Sequence, residues 1–512
     1  MTSEDLARRL RDALAAADYT YDAVSALIGT TAQAALGRNE TTPGLRATTG
    51  ATPIETLTRM WLLQATVSDV DAERALPGLV DELCSAGILE RSISEVAARV
   101  DLRPYGTDSP RNDGNLWVAS DLTPGLDGGP QKVGPDHVLG ISPAATSLAE
   151  LTVRTPVARA LDLGTGCGVQ SLHLAEHVDQ VVATDVNARA LWLTGLNAGL
   201  NDIATGPGRA IEIRNGSFFE PVAREAFDLI VTNPPFVISP ATGQRLVYRD
   251  SGLPGDQVVE DIVRTIPRHL APGGTGQVLA NWAIRSDRGW DERLAEWLQP
   301  AEGVAACDAW VVQREVLDVA SYVELWLKDA GVHPSTGSGQ AAEYFGRYDT
   351  WLSWFEETGV EAVGFGWITL RSTGAAVPDI RVEEWPWEVE QPLGGENAAH
   401  FDRVATLRAL TDDDLAAVRP RLRRDVVQET FGPAGAADPS QIVLRQQTGM
   451  RRARPVDTVE AALAGAADGD LTTGQLLAAI GQLLGDDAVA GRLDGVRALI
   501  AEGFLEIEPP GI

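Results

Sequence analysis

The sequence predicts an α/β protein in which a Rossmann-like central domain is flanked by helical, winged-helix-like N- and C-terminal domains. Three observations carry this prediction. Short apolar runs alternate with helical stretches through the middle of the chain, a glycine-rich loop follows the first of these runs, and both ends have helical periodicity. A chain of 512 residues is also too long for one hydrophobic core, so several domains are expected.

The predicted domain boundaries follow changes in composition. Residues 1–123 are predicted as the N-terminal domain, 124–373 as the Rossmann-like domain and 374–512 as the C-terminal domain. The glycine- and proline-rich stretch Pro124–Pro135 is predicted to link the first two. A segment rich in proline and tryptophan, Pro378–Pro392, is predicted to connect the central domain to the C-terminal helices.

The N-terminal domain is predicted as three helices followed by a β-hairpin, which is the outline of a winged helix. Gly87 is predicted to end the last helix, and the hairpin to run from Ile88-Leu89 to Leu116-Trp117-Val118. The segment Val80–Glu90 matches Val496–Glu506 near the other end of the chain, since each has an apolar helix face, a glycine and an apolar strand start. A second winged helix is therefore predicted there, with chance similarity between two helix ends as the alternative.

Seven apolar segments of the central domain are predicted as strands of a parallel sheet with helices on both faces. They are Ala158–Leu163, Gln180–Thr184, Ala210–Arg214, Phe227–Val231, Gln277–Ala280, Asp308–Val316 and Ala362–Leu370. Between the last two lies a predicted helical insert with an aromatic stripe made of Trp326, Tyr344, Tyr348, Trp351 and Trp354. We interpret the stripe as packing, with a lid or substrate wall as the alternative.

The composition disfavours several classes of protein. The N-terminus is polar, no apolar run of about 18 residues occurs, and the three cysteines lie far apart without a CxxC pair. We therefore expect a cytoplasmic protein with no membrane span, no disulfide framework and no metal site. The formal charge of −30 disfavours non-specific binding to nucleic acid.

One segment departs from the acidic average. Arg419–Arg454 holds eight arginines and three acids. It is predicted either as a solvated face that pairs with the acidic remainder of the chain or as a docking patch for RNA or an acidic partner.

A glycine-rich loop, Ala160-Leu-Asp-Leu-Gly-Thr-Gly-Cys-Gly168, lies between the first predicted strand and a helix. Its glycines let the backbone turn sharply and approach a ligand, and the free N–H groups at the helix start favour an anionic group. Gly164, Thr165, Gly166 and Gly168 are predicted to bind a cofactor. By itself such a loop fits NAD equally well.

Two carboxylates favour S-adenosyl-L-methionine as this cofactor. Asp162 precedes the first glycine by two residues, where its carboxylate can receive the ammonium group of a methionine moiety. Asp185 ends the next strand, 21 residues after Gly164, where it can accept both ribose hydroxyls. A helix N-cap is the alternative role for Asp185. The adjacent Val186 is predicted to contact the cofactor, and the pair Ser217-Phe218 after the third strand is predicted to grip the adenine.

The most specific signal is the tetrad Asn233-Pro234-Pro235-Phe236, which follows a predicted buried strand and lies 69 residues after Gly164. The prolines fix the backbone and have no N–H. The Asn233 side-chain oxygen and the Pro234 carbonyl can then both accept hydrogen bonds from one NH2 group, while Phe236 offers a flat apolar face to a planar group. These four residues are predicted to be catalytic by positioning a planar nitrogen for methyl transfer, without a strong general base. Asn233 is also predicted to contact the cofactor.

Residues 137–373 resemble class I methyltransferases of the NPPY/NPPF group, which includes HemK-type protein glutamine methyltransferases, amino-adenine methyltransferases and guanine methyltransferases of ribosomal RNA. The run Asn233–Pro240 is most similar to release-factor glutamine methyltransferases. The resemblance implies that the asparagine and prolines hold a glutamine amide and that the glycine loop and the ribose acid hold the cofactor. It also implies that an upstream threonine, Thr146, contacts the cofactor. The chain departs from the family in Phe236, where tyrosine is usual, and in Ser217, where an acid is common.

The residues leave the methyl acceptor open. We predict a macromolecular substrate, namely a glutamine side chain of a translation protein, with an exocyclic amine of a base in RNA as the alternative and a small molecule third. The winged-helix-like ends and the Arg419–Arg454 segment favour RNA, whereas the net charge opposes it. A binding module without activity is disfavoured because Asp162, Asp185 and Asn233 are all present.

Overall fold

The structure is a computed structural model that describes residues 3–107, 114–128, 134, 136–240, 253–330, 341–435 and 439–507. The chain forms two compact units, one made of residues 1–149 and 155–385 and the other of 150–154 and 386–512. The first unit holds both the N-terminal elements and the central sheet. The predicted linker Pro124–Pro135 lies partly outside the described residues.

Helices and three short strands alternate within residues 3–98. They are α1 (Ser3–Ala16), α2 (Tyr21–Leu36), α3 (Thr42–Ala47), α4 (Pro53–Leu57), β1 (Val67–Ser68), α5 (Asp69–Ala75), α6 (Val80–Ser85), β2 (Leu89–Arg91) and β3 (Glu95–Ala98). A π-helical turn at 58–62 extends α4. The strands form one antiparallel sheet in the order β1-β3-β2. From α4 onward, the order of elements is helix, strand, two helices and hairpin, and the assignment of a winged helix to them stays a prediction.

The hairpin is shorter than predicted. It ends at Ala98, because the next two strands, β4 (Asp101–Gly106) and β5 (Asn115–Ser120), pair with each other as a separate antiparallel ribbon. The assignment of Leu116-Trp117-Val118 to the wing was therefore wrong. An alternating apolar pattern marks a strand but does not say which strand it pairs with.

Eight strands form the central sheet. They are β6 (Val157–Leu163), β7 (Val178–Asp185), β8 (Ile211–Asn215), β9 (Phe227–Thr232), β10 (Leu270–Arg285), β11 (Cys307–Asp318), β12 (Val360–Ser372) and β13 (Ile380–Glu384). Their order is β13-β11-β12-β10-β9-β6-β7-β8. β12 runs antiparallel to both of its neighbours, while the other pairs are parallel. The predicted parallel sheet is thus a mixed one, because an apolar run reports burial and not strand direction.

The edge strand β13 was missed in the sequence. It lies inside Pro378–Pro392, which was predicted as a connector, and it pairs in parallel with Ala309–Gln313 of β11. Its apolar residues Ile380 and Val382 pack against the core of the sheet. Two apolar positions among prolines and acids were too weak a pattern to predict a strand.

Helices connect the strands of the sheet. They are α7 (Pro143–Leu151), α8 (Val169–Leu174), α9 (Ala188–Leu200), α10 (Gln257–Thr265), α11 (Trp290–Trp297), α12 (Val319–Asp329) and α13 (Ala341–Thr358). The last two form the predicted aromatic insert. Their residues Tyr322, Trp326, Tyr344 and Trp351 are buried in one apolar cluster, so the interpretation of the stripe as packing is confirmed.

The second unit contains both helices and strands. They are α14 (Gly394–Ala409), α15 (Asp412–Ala417), β14 (Pro420–Leu422), β15 (Val426–Phe431), β16 (Gln441–Gln446), β17 (Ala453–Val456), α16 (Thr458–Ala466), α17 (Thr473–Leu484), α18 (Asp486–Val489), α19 (Leu493–Ala501) and β18 (Leu505–Ile507). β15, β16 and β17 form an antiparallel meander, and β14 pairs with β18. Among the described helices of the whole chain, none has the length and apolar character that a bilayer crossing requires.

The repeated helix end predicted from the sequence is present in both units. Gly87 follows α6 with φ of +73°, and Gly503 follows α19 with φ of +77°. In each copy the next N–H bonds to the carbonyl five residues back, Ile88 to Leu83 at 2.9 Å and Phe504 to Leu499 at 2.8 Å. Glycine at the left-handed position allows the chain to leave the helix and enter a strand within two residues.

Some of the eight arginines of the Arg419–Arg454 segment are ion-paired within the second unit. Four of them have carboxylate partners: Arg423 with Asp425 and Glu396, Arg445 with Glu429, Arg451 with Glu388, and Arg454 with Glu460 and Glu502. Pairing of this kind favours the ion-paired face over the docking patch, because a neutralised arginine attracts phosphate less strongly.

Candidate functional site

The register of the central sheet brings the ends of four strands to one edge. The paired positions at these ends are Leu163 with Thr232, Leu163 with Thr184, and Asp185 with Asn215. The Thr232 hydroxyl also donates a hydrogen bond to the Leu163 carbonyl at 2.8 Å. Gly164, Asp185 and Asn233 therefore meet at the carboxyl edge of the sheet, where ligands bind in open α/β sheets.

The glycine loop has the geometry of a ligand cradle. Gly164, Gly166 and Gly168 have φ of +75°, +57° and +85°. A Cβ built on Gly164 or Gly166 would have no neighbouring atom within 4 Å, so open space adjoins the loop at both residues. At Gly168 the same atom would come within 3.2 Å of the Thr194 backbone, so glycine there is needed for packing against α9. These residues fit the predicted nucleoside cofactor.

Asp162 organises the glycine loop from inside the protein. Its carboxylate is 1% exposed and accepts hydrogen bonds from the hydroxyls of Thr165 at 2.7 Å and Ser171 at 2.6 Å. Burial raises the pKa of Asp162 to about 6, although these hydrogen bonds favour the ionised form. Its predicted contact with an ammonium group remains a prediction.

Asp185 is held by backbone N–H groups on both of its oxygens. Gly166 donates to Oδ2 at 3.0 Å, and Asn187 donates to Oδ1 at 2.8 Å. Burial raises the pKa of this carboxyl above its ordinary value. The N-cap of α9 is Asn187, whose side chain accepts from the N–H of Arg189, so the alternative role for Asp185 was wrong.

Two apolar side chains beyond the ends of β7 and β8 are exposed to solvent. Val186 is 71% exposed and Phe218 is 40% exposed, and Phe218 has a positive φ of +45°. Ser217 and Phe218 line a cavity together with Leu253 and residues of α10. An apolar lining with a few polar groups suits a flat heterocycle.

Thr146 lies on the first turn of α7 and is half-buried. The carbonyl of the preceding residue, Ala145, accepts a hydrogen bond from Gln170 Nε2 at 2.7 Å. Gln170 belongs to α8, the helix that follows the glycine loop. This bond links the start of α7 to α8, and the contact of Thr146 with the cofactor, which the resemblance implied, remains a prediction.

The tetrad follows β9 directly, and one of its polar side-chain atoms has no hydrogen-bond partner among the described residues. Asn233 Oδ1 is buried and has no hydrogen-bond partner among the described residues. Pro234 is buried, whereas Asn233, Pro235 and Phe236 are half-buried. A buried acceptor without a donor costs about 1–3 kcal/mol, which a bound N–H group would offset. The Phe236 ring meets the edge of Trp326 with centroids 6.2 Å apart, so the aromatic insert covers part of it.

Sequence reasoning missed Tyr322 at the start of the insert. Its side chain is fully buried, and its hydroxyl accepts a hydrogen bond from the N–H of Ile238 at 2.8 Å. Ile238 lies two residues after Phe236, so Tyr322 fixes the backbone that leaves the tetrad. The only signal in the sequence was its place beside the aromatic stripe, which reads equally well as packing.

Two family models match this chain. Residues 142–313 match the methyltransferase small domain, and residues 16–99 match a family described as a domain of unknown function. The first match contains the glycine loop, both carboxylates and the tetrad.

Similar curated proteins share this central region. A release factor glutamine methyltransferase from Xylella fastidiosa is 34% identical over 152 residues, which are 27% of this chain and 49% of that protein. A ribosomal protein uL3 glutamine methyltransferase from Bradyrhizobium diazoefficiens is 33% identical over 23% of this chain and 40% of that protein. The chain thus spans about half the length of the curated relatives it matches.

Solved structures resemble the fold only loosely. A ribosomal protein L11 methylase from Lactobacillus delbrueckii is 20% identical with a TM-score of 0.23, over 31% of this chain and 69% of that one. A likeness at this level says nothing about function. The family match and the site geometry coincide in the same segment: residues 142–313 are similar to the methyltransferase small domain family, and glutamine methyltransferases are among the similar curated proteins.

Proposed function

We propose that this chain is a cytoplasmic N-methyltransferase that uses S-adenosyl-L-methionine to methylate the side-chain amide of a glutamine in a translation protein. The observation that carries the proposal is the buried, unpartnered Asn233 Oδ1 at the same sheet edge as the glycine loop. The names of the relatives, which act on a release factor or on ribosomal protein uL3, support the choice of acceptor.

The residues of the loop and of the neighbouring strand ends would hold the cofactor. Gly164 and Gly166 leave open space beside the backbone, and Asp185 keeps a carboxylate fixed where ribose hydroxyls can donate to it. Val186, Ser217 and Phe218 would contact the adenine. When bound, S-adenosyl-L-methionine supplies a methyl group on a positively charged sulfur, which leaves as a neutral thioether.

The tetrad would orient the acceptor nitrogen. Asn233 Oδ1 and the Pro234 carbonyl accept the two N–H groups of a primary amide and so hold its nitrogen in one place. The half-buried Phe236, supported by Trp326, contacts the plane of the amide. No buried base is required, because the nitrogen becomes acidic once it carries the methyl group and releases its proton to water.

A labelling experiment tests the acceptor. The purified chain is incubated with tritiated S-adenosyl-L-methionine and, separately, with a purified release factor, ribosomal protein uL3 and ribosomal RNA. We expect label in a protein, and we expect acid hydrolysis to release it as methylamine, because an N-methylated glutamine amide is cleaved there. Label found only in RNA and removed by ribonuclease would overturn the proposal in favour of a nucleobase amine. The Asn233→Ala variant serves as the control for background labelling.

Cofactor binding should depend on pH through Asp162. Its pKa of about 6 means that the carboxyl is ionised at pH 7 and mostly protonated at pH 5. A protonated carboxyl no longer attracts an ammonium group and accepts the two hydroxyl hydrogen bonds less well. We expect the affinity for S-adenosyl-L-methionine to fall about tenfold between pH 7 and pH 5. Calorimetric titration of Asp162→Asn, which cannot titrate, should give a smaller pH dependence, and an equal dependence would remove Asp162 as its cause.

A further inference from the structure

Two asparagines at the C-terminal end of one helix join the ribbon of β4 and β5 to the methyltransferase domain. Asn197 lies in the last turn of α9 and Asn201 is its C-cap residue, and both are fully buried. Each side-chain amide bonds to the N–H and the carbonyl of one residue of β5. Asn197 bonds to Ala119 at 2.7 and 2.8 Å, and Asn201 bonds to Trp117 at 3.0 and 2.8 Å. The side chains thus pair with β5 as a neighbouring strand would.

The third hydrogen bond of each amide distinguishes the two residues. Asn201 Nδ2 donates to the carbonyl of Asn197 within α9, at 2.8 Å. Asn197 Nδ2 donates instead to the carbonyl of Cys167 in the glycine loop, at 2.7 Å. Thr194, on the same helix, donates to the carbonyl of Gly166 at 3.1 Å. α9 therefore holds two consecutive carbonyls of the loop.

The orientation of the Asn197 amide depends on β5. An asparagine side chain has one oxygen acceptor and two N–H donors. The Ala119 N–H donates to Asn197 Oδ1, and one N–H of Asn197 Nδ2 donates to the Ala119 carbonyl. The other N–H of Nδ2 therefore points to the Cys167 carbonyl. A rotated amide would place its oxygen against a carbonyl, which is unfavourable in a buried site. By fixing the orientation of the Asn197 amide, β5 directs its second N–H to the Cys167 carbonyl of the loop.

We propose that Asn197 is a positioning residue that couples the N-terminal ribbon to the cofactor loop, so that residues 115–120 stabilise the loop in its binding conformation. The inference rests on the proposed function, because it takes the loop to hold an S-adenosyl group. The three glycines of the loop have positive φ, and glycine restricts the backbone little. The hydrogen bond from Asn197 to the Cys167 carbonyl restricts the loop before the cofactor binds, so the loop loses less conformational entropy on binding. The N-terminal elements thus take part in cofactor binding without touching the cofactor.

The matched variants Asn197→Ala and Asn201→Ala test the coupling. Both remove three hydrogen bonds from a fully buried position, one in the last turn of α9 and one at its C-cap, and both remove the bonds to β5, but only the first loses the bond to the loop. We expect similar decreases in Tm for the two. We expect the dissociation constant of S-adenosylhomocysteine, measured by calorimetry, to rise about tenfold in Asn197→Ala and less than twofold in Asn201→Ala. Equal changes in the two variants, or no change in Asn197→Ala, would overturn the inference.

A second measurement uses the unmodified chain and tests the coupling between β5 and the cofactor loop even if Asn197→Ala does not fold. Coupling is reciprocal, so a ligand in the loop must also stabilise the ribbon. S-adenosylhomocysteine is expected to slow hydrogen exchange in a peptide covering Asn115–Ser120 more than in one covering the hairpin Leu89–Ala98. Binding without this slowing would refute the coupling and leave the proposed function intact. Absence of any binding to the unmodified chain would count against the proposed function itself.

Discussion

Replacement of Asn233 by alanine is expected to lower turnover by about 100-fold or more while the affinity for S-adenosyl-L-methionine changes by no more than a few fold. The reason is the place of the side chain. Its Oδ1 atom is buried without a partner at the end of β9, whereas the glycine loop follows β6. Removing this oxygen leaves the acceptor nitrogen unoriented and leaves the loop unchanged. Initial rates with the labelled protein substrate and calorimetric titration of the cofactor measure the two effects separately.

A longer amide provides the matched variant. Asn233→Gln keeps the same functional group and moves it by one methylene, and displacement of a positioning group by about 1 Å can cost about 100-fold in rate. We therefore expect Asn233→Gln to be nearly as slow as Asn233→Ala. If either variant instead lost its affinity for the cofactor, Asn233 would belong to the cofactor site and its assignment to the acceptor would fail.

Replacement of Asp185 by alanine is expected to have the opposite effect and to weaken the binding of S-adenosyl-L-methionine first. The two ribose hydroxyls of the cofactor would lose a charged acceptor, and a hydrogen bond to a charged group contributes about 1.5–3 kcal/mol to the free energy of binding. That corresponds to roughly a ten- to hundredfold higher dissociation constant. The loop would also lose the bond between the Gly166 N–H and this carboxylate. Calorimetric titration with S-adenosyl-L-methionine measures the change.

Asp179 on the same strand supplies the control for Asp185. It lies near the start of β7, at the far end from the site, and its side chain is exposed. Asp179→Ala removes the same charge and should change the dissociation constant by less than twofold. Turnover at saturating cofactor should recover in Asp185→Ala, since the acceptor side of the site is intact. An unchanged dissociation constant in Asp185→Ala would disprove the ribose assignment.

The predictions from the sequence were most accurate in the first half of the sheet. The predicted strands at Ala158–Leu163, Gln180–Thr184, Ala210–Arg214 and Phe227–Val231 each lie within one or two residues of the observed bounds. These are short strands bounded by glycines, polar residues or prolines, so composition marks both of their ends. The longer strand β10 was predicted only at Gln277–Ala280, because its first residues include one proline and three glycines, which usually indicate a turn.

The candidate site could be predicted because its residues follow strand ends. The glycine loop, Asp185 and Asn233 each come directly after, or at the end of, an apolar run, and parallel strands place such positions at one edge. Tyr322 and Asn197 could not be found in this way. Tyr322 bonds to the backbone of Ile238, and Asn197 bonds to the backbone of Ala119 and Cys167, all of them distant in the sequence.

The sequence by itself determined the order and spacing of the glycine loop, the two carboxylates and the tetrad, which are properties of the chain. Only the tertiary structure decided the direction of β12, the pairing of β13 with β11, and the attachment of β5 to α9. The physical reason is that periodicity records how deeply a segment is buried. The partner of a segment depends on hydrogen bonds and packing between distant residues, which the three-dimensional arrangement alone reveals.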